Sequence, residues 1–546
     1  MNTAKQMLVK NRKICIVPLG KMLKTFLELP DVYNKIMSNI IKSEQNKITT
    51  SILQNEIWHS IKQQHNNDLL PLILYYDELE INNPLDTHRG LHKLGVVYCT
   101  IGGIEEQYAS MLENIFLIQL HNVTDYVQVG NKQIFAPLIN EINKLQINGI
   151  TINIGNSEKK VNFALMNILG DNLGLHAIFG LNTSFNSNYS CRICFVDTLT
   201  RQKQILEDVE LLRNVENYAI DVNDRNHGIT EECTFHSITN FHITKNLCVD
   251  VMHDLYEGIC RYDLGQLLNR LINKDKLFSL QRLNNRIYSF DYGDNHSTNI
   301  PPSININALK NKYIIYSAAE MACLWQYLGL IIGDLIPKKN KTWKLYILLR
   351  KMMSIIMAKE VTDENCSLLK KLTSEHHKLY INLFDDVLKQ KHHLLFHYPR
   401  VMQQIGPLKY MSPIRFEAKH KELKQTANAI TSRKNPAYSL AMKHQLQFNC
   451  RFISNKGFEN RLKWGVILHD NLMDIDLFNN LKRILPFVSF DSYKCVSWIK
   501  VNGTLYKPNM VIVIDKTNSK FGNIQYIIKN DSHETFFICK ELKTVV

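Results

Sequence analysis

With 546 residues, 45% of them hydrophobic and 21% charged, the chain is long and apolar enough for roughly two to four domains, which excludes a disordered polymer. Lys and Arg outnumber Asp and Glu by 65 to 51, and the resulting charge of +14 suits a polyanionic partner such as nucleic acid. The 12 cysteines are scattered apart from one CxxC, the first residues carry no secretory apolar core, and apolar runs such as 324–336 are short and contain an acid. A reducing intracellular compartment is expected, with neither a disulfide framework nor a membrane span.

Residues 1–70 read as an N-terminal helical or irregular region. A short apolar piece, ICIVPLGKML, precedes a polar stretch rich in Asn, Gln and Lys, and no Cys/His finger is present. At 71–86, PLILYYDELEINNPLD, an apolar run ends in acids. Residues 71–76 are apolar on both faces, as in a strand buried in the middle of a sheet. Asp77 follows at once. A carboxylate at the end of a central strand is costly unless something pairs with it, so it is a paired structural acid or a metal ligand. Two further strands follow at 93–101 and 114–119. Residues 133–145 space Ile134, Leu138, Ile142 and Leu145 as an amphipathic helix. After a short lead-in at 150–154, a strand at 161–169 runs into Gly170 and Asp171, and a helix starts near Leu173. The order strand, strand, strand, helix, strand, helix is that of ribonuclease H-like folds, in which the first and fourth strands are neighbours. Asp77 and Asp171 would then face each other.

From 196 to 390 the pattern is mostly helical, with amphipathic runs at 249–271, 314–332 and 343–357, and reads as a large insertion. Residues 391–485 hold the last part of the core and basic helices, including a helix at 414–430 that carries Glu417. Short alternating runs separated by NG, Pro and Gly make 486–546 a small β module. The expected fold class is therefore α/β: an RNase H-like mixed-sheet core over 71–195 and 391–485, interrupted by an all-α insertion.

Four sets of residues carry chemistry. Asp77, Asp171 and Glu417 offer hard carboxylate oxygens suited to Mg²⁺ or Mn²⁺. Three such acids can hold two ions roughly 4 Å apart for in-line transfer at a phosphodiester. Among 51 acids the choice rests on two of them ending predicted central strands. Cys191 and Cys194, with His392 and His397, have the spacing of a closed structural Zn²⁺ site, and His393 is the alternative to His392. A lone CxxC is about as often chance or a redox motif as a metal site, and the placement of this one near the two later acids favours zinc. Asp250 and His253 form a third element, DVMH, readable as a supporting pair or as a helix with a surface histidine. Around Glu417, Arg415, Lys419, Lys421, Lys424, Arg433 and Lys434, together with Arg400, Lys409 and Lys443, form a basic stretch fit to hold DNA phosphates.

Taken together, YYDELEINNPL around Asp77, GDNLGLHAIFG around Asp171, CRIC, DVMH and RFEAKHKELK around Glu417 resemble DDE-type transposases of the CACTA (En/Spm) group. The layout of acids, CxxC and HxxxxH is also similar to the catalytic core of the V(D)J recombinase and its Transib transposon relatives. The resemblance spans about residues 70–440. It implies Asp77, Asp171 and Glu417 as a metal-binding triad, two-metal cleavage at transposon ends, and attack of the freed 3′-hydroxyl on target DNA. It further implies a nuclear protein that is homo-oligomeric in its DNA complex. The first catalytic strand begins only about 70 residues in, with no DNA-binding module before it, which departs from the usual transposase. The alternatives are a host-adopted or decayed transposase acting only as a DNA- or protein-binding factor, and a helical scaffold whose acids are structural.

Overall fold

The computed structural model describes residues 4–9, 12–81, 93–430, 434–459, 461–469, 483, 493–515, 517–531 and 534–543. A seven-stranded mixed sheet is formed by β1 (Lys5–Val9), β2 (Arg12–Ile16), β3 (Asp68–Glu80), β4 (Lys93–Ile101), β5 (Phe116–Asn122), β6 (Ile150–Ile154) and β7 (Ser157–Gly170). Their order is β1-β2-β5-β4-β3-β7-β6. β3 and β7 pair in parallel, while the other neighbours pair antiparallel. The protein is thus mixed α/β.

β3 lies inside the sheet because its apolar residues fill both faces. Tyr75 stacks on Phe416 with centroids 4.6 Å apart, and Tyr76 meets Phe135 edge-on at 6.0 Å. Successive strand residues point to opposite faces. The helix Ile414–Ala429 therefore covers one face and the helix Asn131–Ile147 the other.

Several boundaries differ from the sequence reading. β3 continues past Asp77 to Glu80, which pairs with Lys93, so Asp77 is not the end of its strand. Only the parallel pairing stops there, its last register pair being Tyr76 with Gly170. The apolar piece near residue 14 belongs to β2, which pairs with β5 and, with β1, forms a hairpin at the sheet edge. Residues 150–154 are a strand of their own, β6.

Between β7 and residue 414 the chain is mostly helical. A π-helical turn, Met252–Ile259, runs into the helix Cys260–Asn269. Longer helices follow at Ala318–Ile332, Lys341–Ile356 and Asp363–Phe384. Their starts are set by side-chain caps: Ser317 with Glu320, Asn340, and Thr362 with Asn365. Among the described residues no helix is long and apolar enough to cross a membrane.

The chain divides into two compact units, Met1–Phe290 with Asn299–Gly457, and Asp291–Thr298 with Phe458–Val546. The second is built on antiparallel strands, with Lys520–Lys529 pairing with Val511–Asp515, Lys494–Val496 and Thr535–Leu542. Its core is Val496, Ile499, Ile524 and Ile527. Strands Leu462–Trp464 and Ile467–His469 belong to it as well, so β structure begins before residue 486.

Candidate active site and metal centre

The parallel register sets Asp77 and Asp171 one step beyond the last paired residues of β3 and β7. Gly170 permits this approach, since a Cβ there would meet the Tyr76 carbonyl oxygen at 2.5 Å. Asp171 then caps the helix Asn172–Ile178, its Oδ1 accepting from the Gly174 backbone N–H at 2.6 Å. Glu417 comes from the first turn of the helix Ile414–Ala429.

Asp77 is the most tightly held of the three acids. Its Oδ1 accepts from the Glu78 N–H at 2.7 Å, and its Oδ2 accepts from Tyr75 Oη at 3.1 Å and from His420 Nε2 at 2.9 Å. Burial pushes its pKa up, but the His420 hydrogen bond and charge outweigh this and leave it below the ordinary carboxylate value. His420 is in turn 3.2 Å from Tyr98 Oη through Nδ1. The sequence reading missed His420, although its i+3 spacing from Glu417 on one helix was the available signal.

The DVMH element joins the site. His253 Nδ1–H donates to Asp250 Oδ2 at 2.6 Å, and His253 Nε2 lies 3.5 Å from Glu417 Oε1. Burial disfavours the imidazolium, but the Asp250 hydrogen bond and charge, with Glu417 and Asp171 beyond, raise His253 to about 9. At neutral pH it is a fixed cation between Asp250 and Glu417.

Even so, the site carries excess negative charge. Burial, then the charge of Asp77, pushes Asp171 up to about 6. Burial pushes Glu417 up to about 7, with His253 opposing and Asp77, Asp250 and Glu257 adding to the rise. Clustered carboxylates short of positive charge have the donor chemistry of a Mg²⁺ or Mn²⁺ site. Their oxygens do not all lie within 4.8 Å of one another.

The second cluster is tighter. Among the described residues, Cys191, Cys194, His393 and His397 are the group of Cys, His, Asp or Glu whose donor atoms all lie within 4.8 Å of one another, and all four are buried. Cys191 Sγ is 3.6 Å from His397 Nε2, Cys194 Sγ is 3.3 Å from His393 Nε2, and the two Nε2 atoms are 3.3 Å apart. A tetrahedral ion with bonds of about 2.0–2.3 Å would have donor–donor edges of roughly 3.3–3.8 Å, so the set fits a metal such as zinc. Cys191 is held well below the usual thiol range: burial opposes this, but the Cys194 hydrogen bond and the His397 and His393 imidazoles outweigh it. His397 Nδ1–H donates to Glu207 Oε1 at 2.7 Å, and Arg400 holds Glu207 through Nη2 at 2.7 Å, an outer layer of the kind that orients a metal-bound imidazole.

This corrects the expected ligand set, because His393 and not His392 completes the cluster. Residues four apart share a helix face, and positions 393 and 397 satisfy that spacing where 392 and 397 do not. His392 turns away. Its Nε2 is 3.0 Å from Asp263 Oδ1, and His376 Nε2 is 2.7 Å from Asp263 Oδ2.

The basic stretch is also redistributed. Arg415, Lys421, Lys424, Lys434 and Lys443 are exposed, whereas Arg433 lies outside the described residues. Lys419 is 2% exposed, pairs with Glu422 at 2.6 Å and sits over the Phe448 ring. It shares the inward face of its helix with Phe416 and Leu423, so it is not a DNA contact. Arg400 and Lys409 are committed to Glu207 and Glu106.

No protein-family model matches the chain, and no characterised protein matches its sequence significantly.

Proposed function

We propose that the chain is a DDE-type transposase that cleaves DNA and transfers the cut strand through Asp77, Asp171 and Glu417, on an RNase H-like core interrupted by a helical insertion. The observation that carries this reading is the parallel pairing of β3 with β7, which brings Asp77 and Asp171 to adjacent register positions, with Glu417 linked to the same cluster through His253. The order β5-β4-β3-β7 supports the fold assignment, since it makes the first and fourth core strands neighbours.

When bound, two divalent ions on these carboxylates would activate the attacking water or 3′-hydroxyl and stabilise the leaving oxygen. The chain's own contributions are positional and electrostatic. His420, Tyr75 and the Glu78 N–H fix Asp77 in its ionised form. His253, oriented by Asp250, supplies a cation beside Glu417 without occupying its oxygens at hydrogen-bond distance. Exposed Lys421, Lys424 and Lys434 lie in the segment around Glu417 and suit phosphate contacts. A Zn²⁺ ion held by Cys191, Cys194, His393 and His397 would be structural, since all four donors are protein side chains and buried.

The test is nicking of a terminal-repeat duplex in Mg²⁺ or Mn²⁺ by wild type and by Asp77→Ala, Asp171→Ala and Glu417→Ala. Wild type nicks and the variants do not. Equal nicking by the variants would remove the triad from the mechanism. Duplex binding with no nicking by wild type would favour a DNA-binding factor.

A further inference from the structure

Arg192 lies between the two cysteines of the metal cluster, yet its side chain leads to the acids. It is 6% exposed. One guanidinium nitrogen donates to Asn172 Oδ1 and the other donates to the Cys248 carbonyl oxygen at 3.0 Å. Asn172 directly follows Asp171, and its Nδ2 donates to Asp254 Oδ1 at 2.6 Å. Asp254 directly follows His253. Tyr398, next to the cluster's His397, closes the path by donating from its hydroxyl to Asp254 Oδ2 at 3.3 Å. The path therefore leaves the Cys/His cluster at Arg192, passes behind Asp171 and His253, and returns to the cluster at Tyr398.

Each member is buried, Asp254 and Tyr398 completely. Water cannot substitute for a lost partner in such a place, and a buried charge without its counter-charge is costly. The guanidinium also presents its donors in a rigid fork, so it fixes angle as well as distance between Asn172 and the Cys248 backbone. Asn172 begins the helix that Asp171 caps, and Asp254 belongs to the turn that carries His253, its backbone N–H donating to the Asp250 carbonyl oxygen at 2.8 Å. Displacing the 191–194 loop would thus shift the segments that carry Asp171 and His253.

We propose that Arg192 is a positioning residue that transmits occupancy of the Cys/His cluster to Asp171 and His253, so that divalent-ion affinity at the acids depends on a metal at the cluster. The inference rests on reading the acids as a divalent-ion site. It is tested with the full chain by titrating Mn²⁺ against the electron paramagnetic resonance signal of the free ion, with zinc content and thermal melting measured on the same samples. Arg192→Lys keeps the charge and loses the fork. It retains about one zinc per chain and weakens Mn²⁺ binding by about 10- to 100-fold, as loss of an outer-layer partner does. Tyr398→Phe removes the far side of the path without removing a charge, and gives a smaller loss in the same direction. Unchanged Mn²⁺ affinity in a zinc-replete Arg192→Lys protein overturns the coupling. Should Arg192→Lys fail to fold, unchanged affinity in Tyr398→Phe overturns it equally. Wild type with no Mn²⁺ binding that depends on Asp171 overturns the reading of the acids and this inference with it, a result distinct from loss of the coupling alone.

Discussion

The two clusters of the first unit solve opposite problems. Around Cys191, Cys194, His393 and His397 the protein supplies four donors and an outer layer, Glu207 and Arg400, and closes the set against solvent. Around Asp77, Asp171 and Glu417 it supplies acids with too little positive charge and leaves the side chains of His253 and Glu417 26% and 32% exposed. The closed cluster has what a structural metal needs. The open one has what a site needs when its missing charge and its substrate come from outside.

This contrast is broken most severely at the closed cluster. Cys191→Ser, Cys194→Ser or His393→Ala should lose the bound metal and with it the folded state, because structural metal binding contributes on the order of the whole stability of a domain, about 5–15 kcal/mol. His392→Ala should keep its metal while melting earlier, since it deprives buried Asp263 of a partner. Metal analysis with circular dichroism separates the two outcomes.

At the open cluster, Glu417→Gln should cost several kcal/mol of transition-state stabilisation, on the order of 100-fold or more in nicking rate. The same variant should melt higher than wild type at pH 8 without divalent ions, because it removes a charge crowded by Asp77 and Asp250. A substitution that stabilises the fold while abolishing activity marks a functional acid.

The pH dependences should have opposite signs. Asp171 and Glu417 rise from ordinary values of 3.8 and 4.5 to about 6 and about 7 in the folded protein. Their folded pKa values exceed the unfolded ones, so their contribution is fully present below about pH 4 and is lost as pH rises through 6 to 7. Melting of metal-free acids in Glu417→Gln and wild type, compared across pH 4 to 8, should therefore diverge toward pH 8. The Cys/His cluster must release protons to bind metal, so its stabilisation is lost as pH falls.

The smallest effects concern DNA contact. Charge reversal at Lys421 or Lys424 should weaken duplex binding and reduce the salt dependence by about one unit of slope each. Lys419→Met should leave that slope unchanged, because Lys419 already spends its charge on Glu422 inside the protein.

How far these clusters could be read from sequence follows from the range of the interactions. The unbroken apolar run of β3 and the Gly170 step before Asp171 are local patterns; both acids follow the last pair of the parallel β3–β7 ladder, although β3 itself runs on past Asp77. The extension of β3 to Glu80 was not legible, because it depends on pairing with β4 across residues with no alternating pattern of their own. The choice of His393 over His392 turns on helix phase, which a count of intervening residues ignores. Lys419 looked like a surface cation because only the burial of Phe416 and Leu423 reveals which face its helix turns inward. Arg192 acts through a partner 20 residues away and carried no local signal, whereas His420, whose partner Asp77 is 343 residues away, was marked only by its i+3 spacing from Glu417.

The most direct test measures duplex binding and single-turnover nicking on the same samples of full-length wild type and Asp171→Asn in Mn²⁺. Asp171→Asn should bind the duplex with wild-type affinity and nick it at a rate reduced on the order of 100-fold or more. Equal nicking rates, or a wild type that binds the duplex and never cuts it, would contradict cleavage through Asp171.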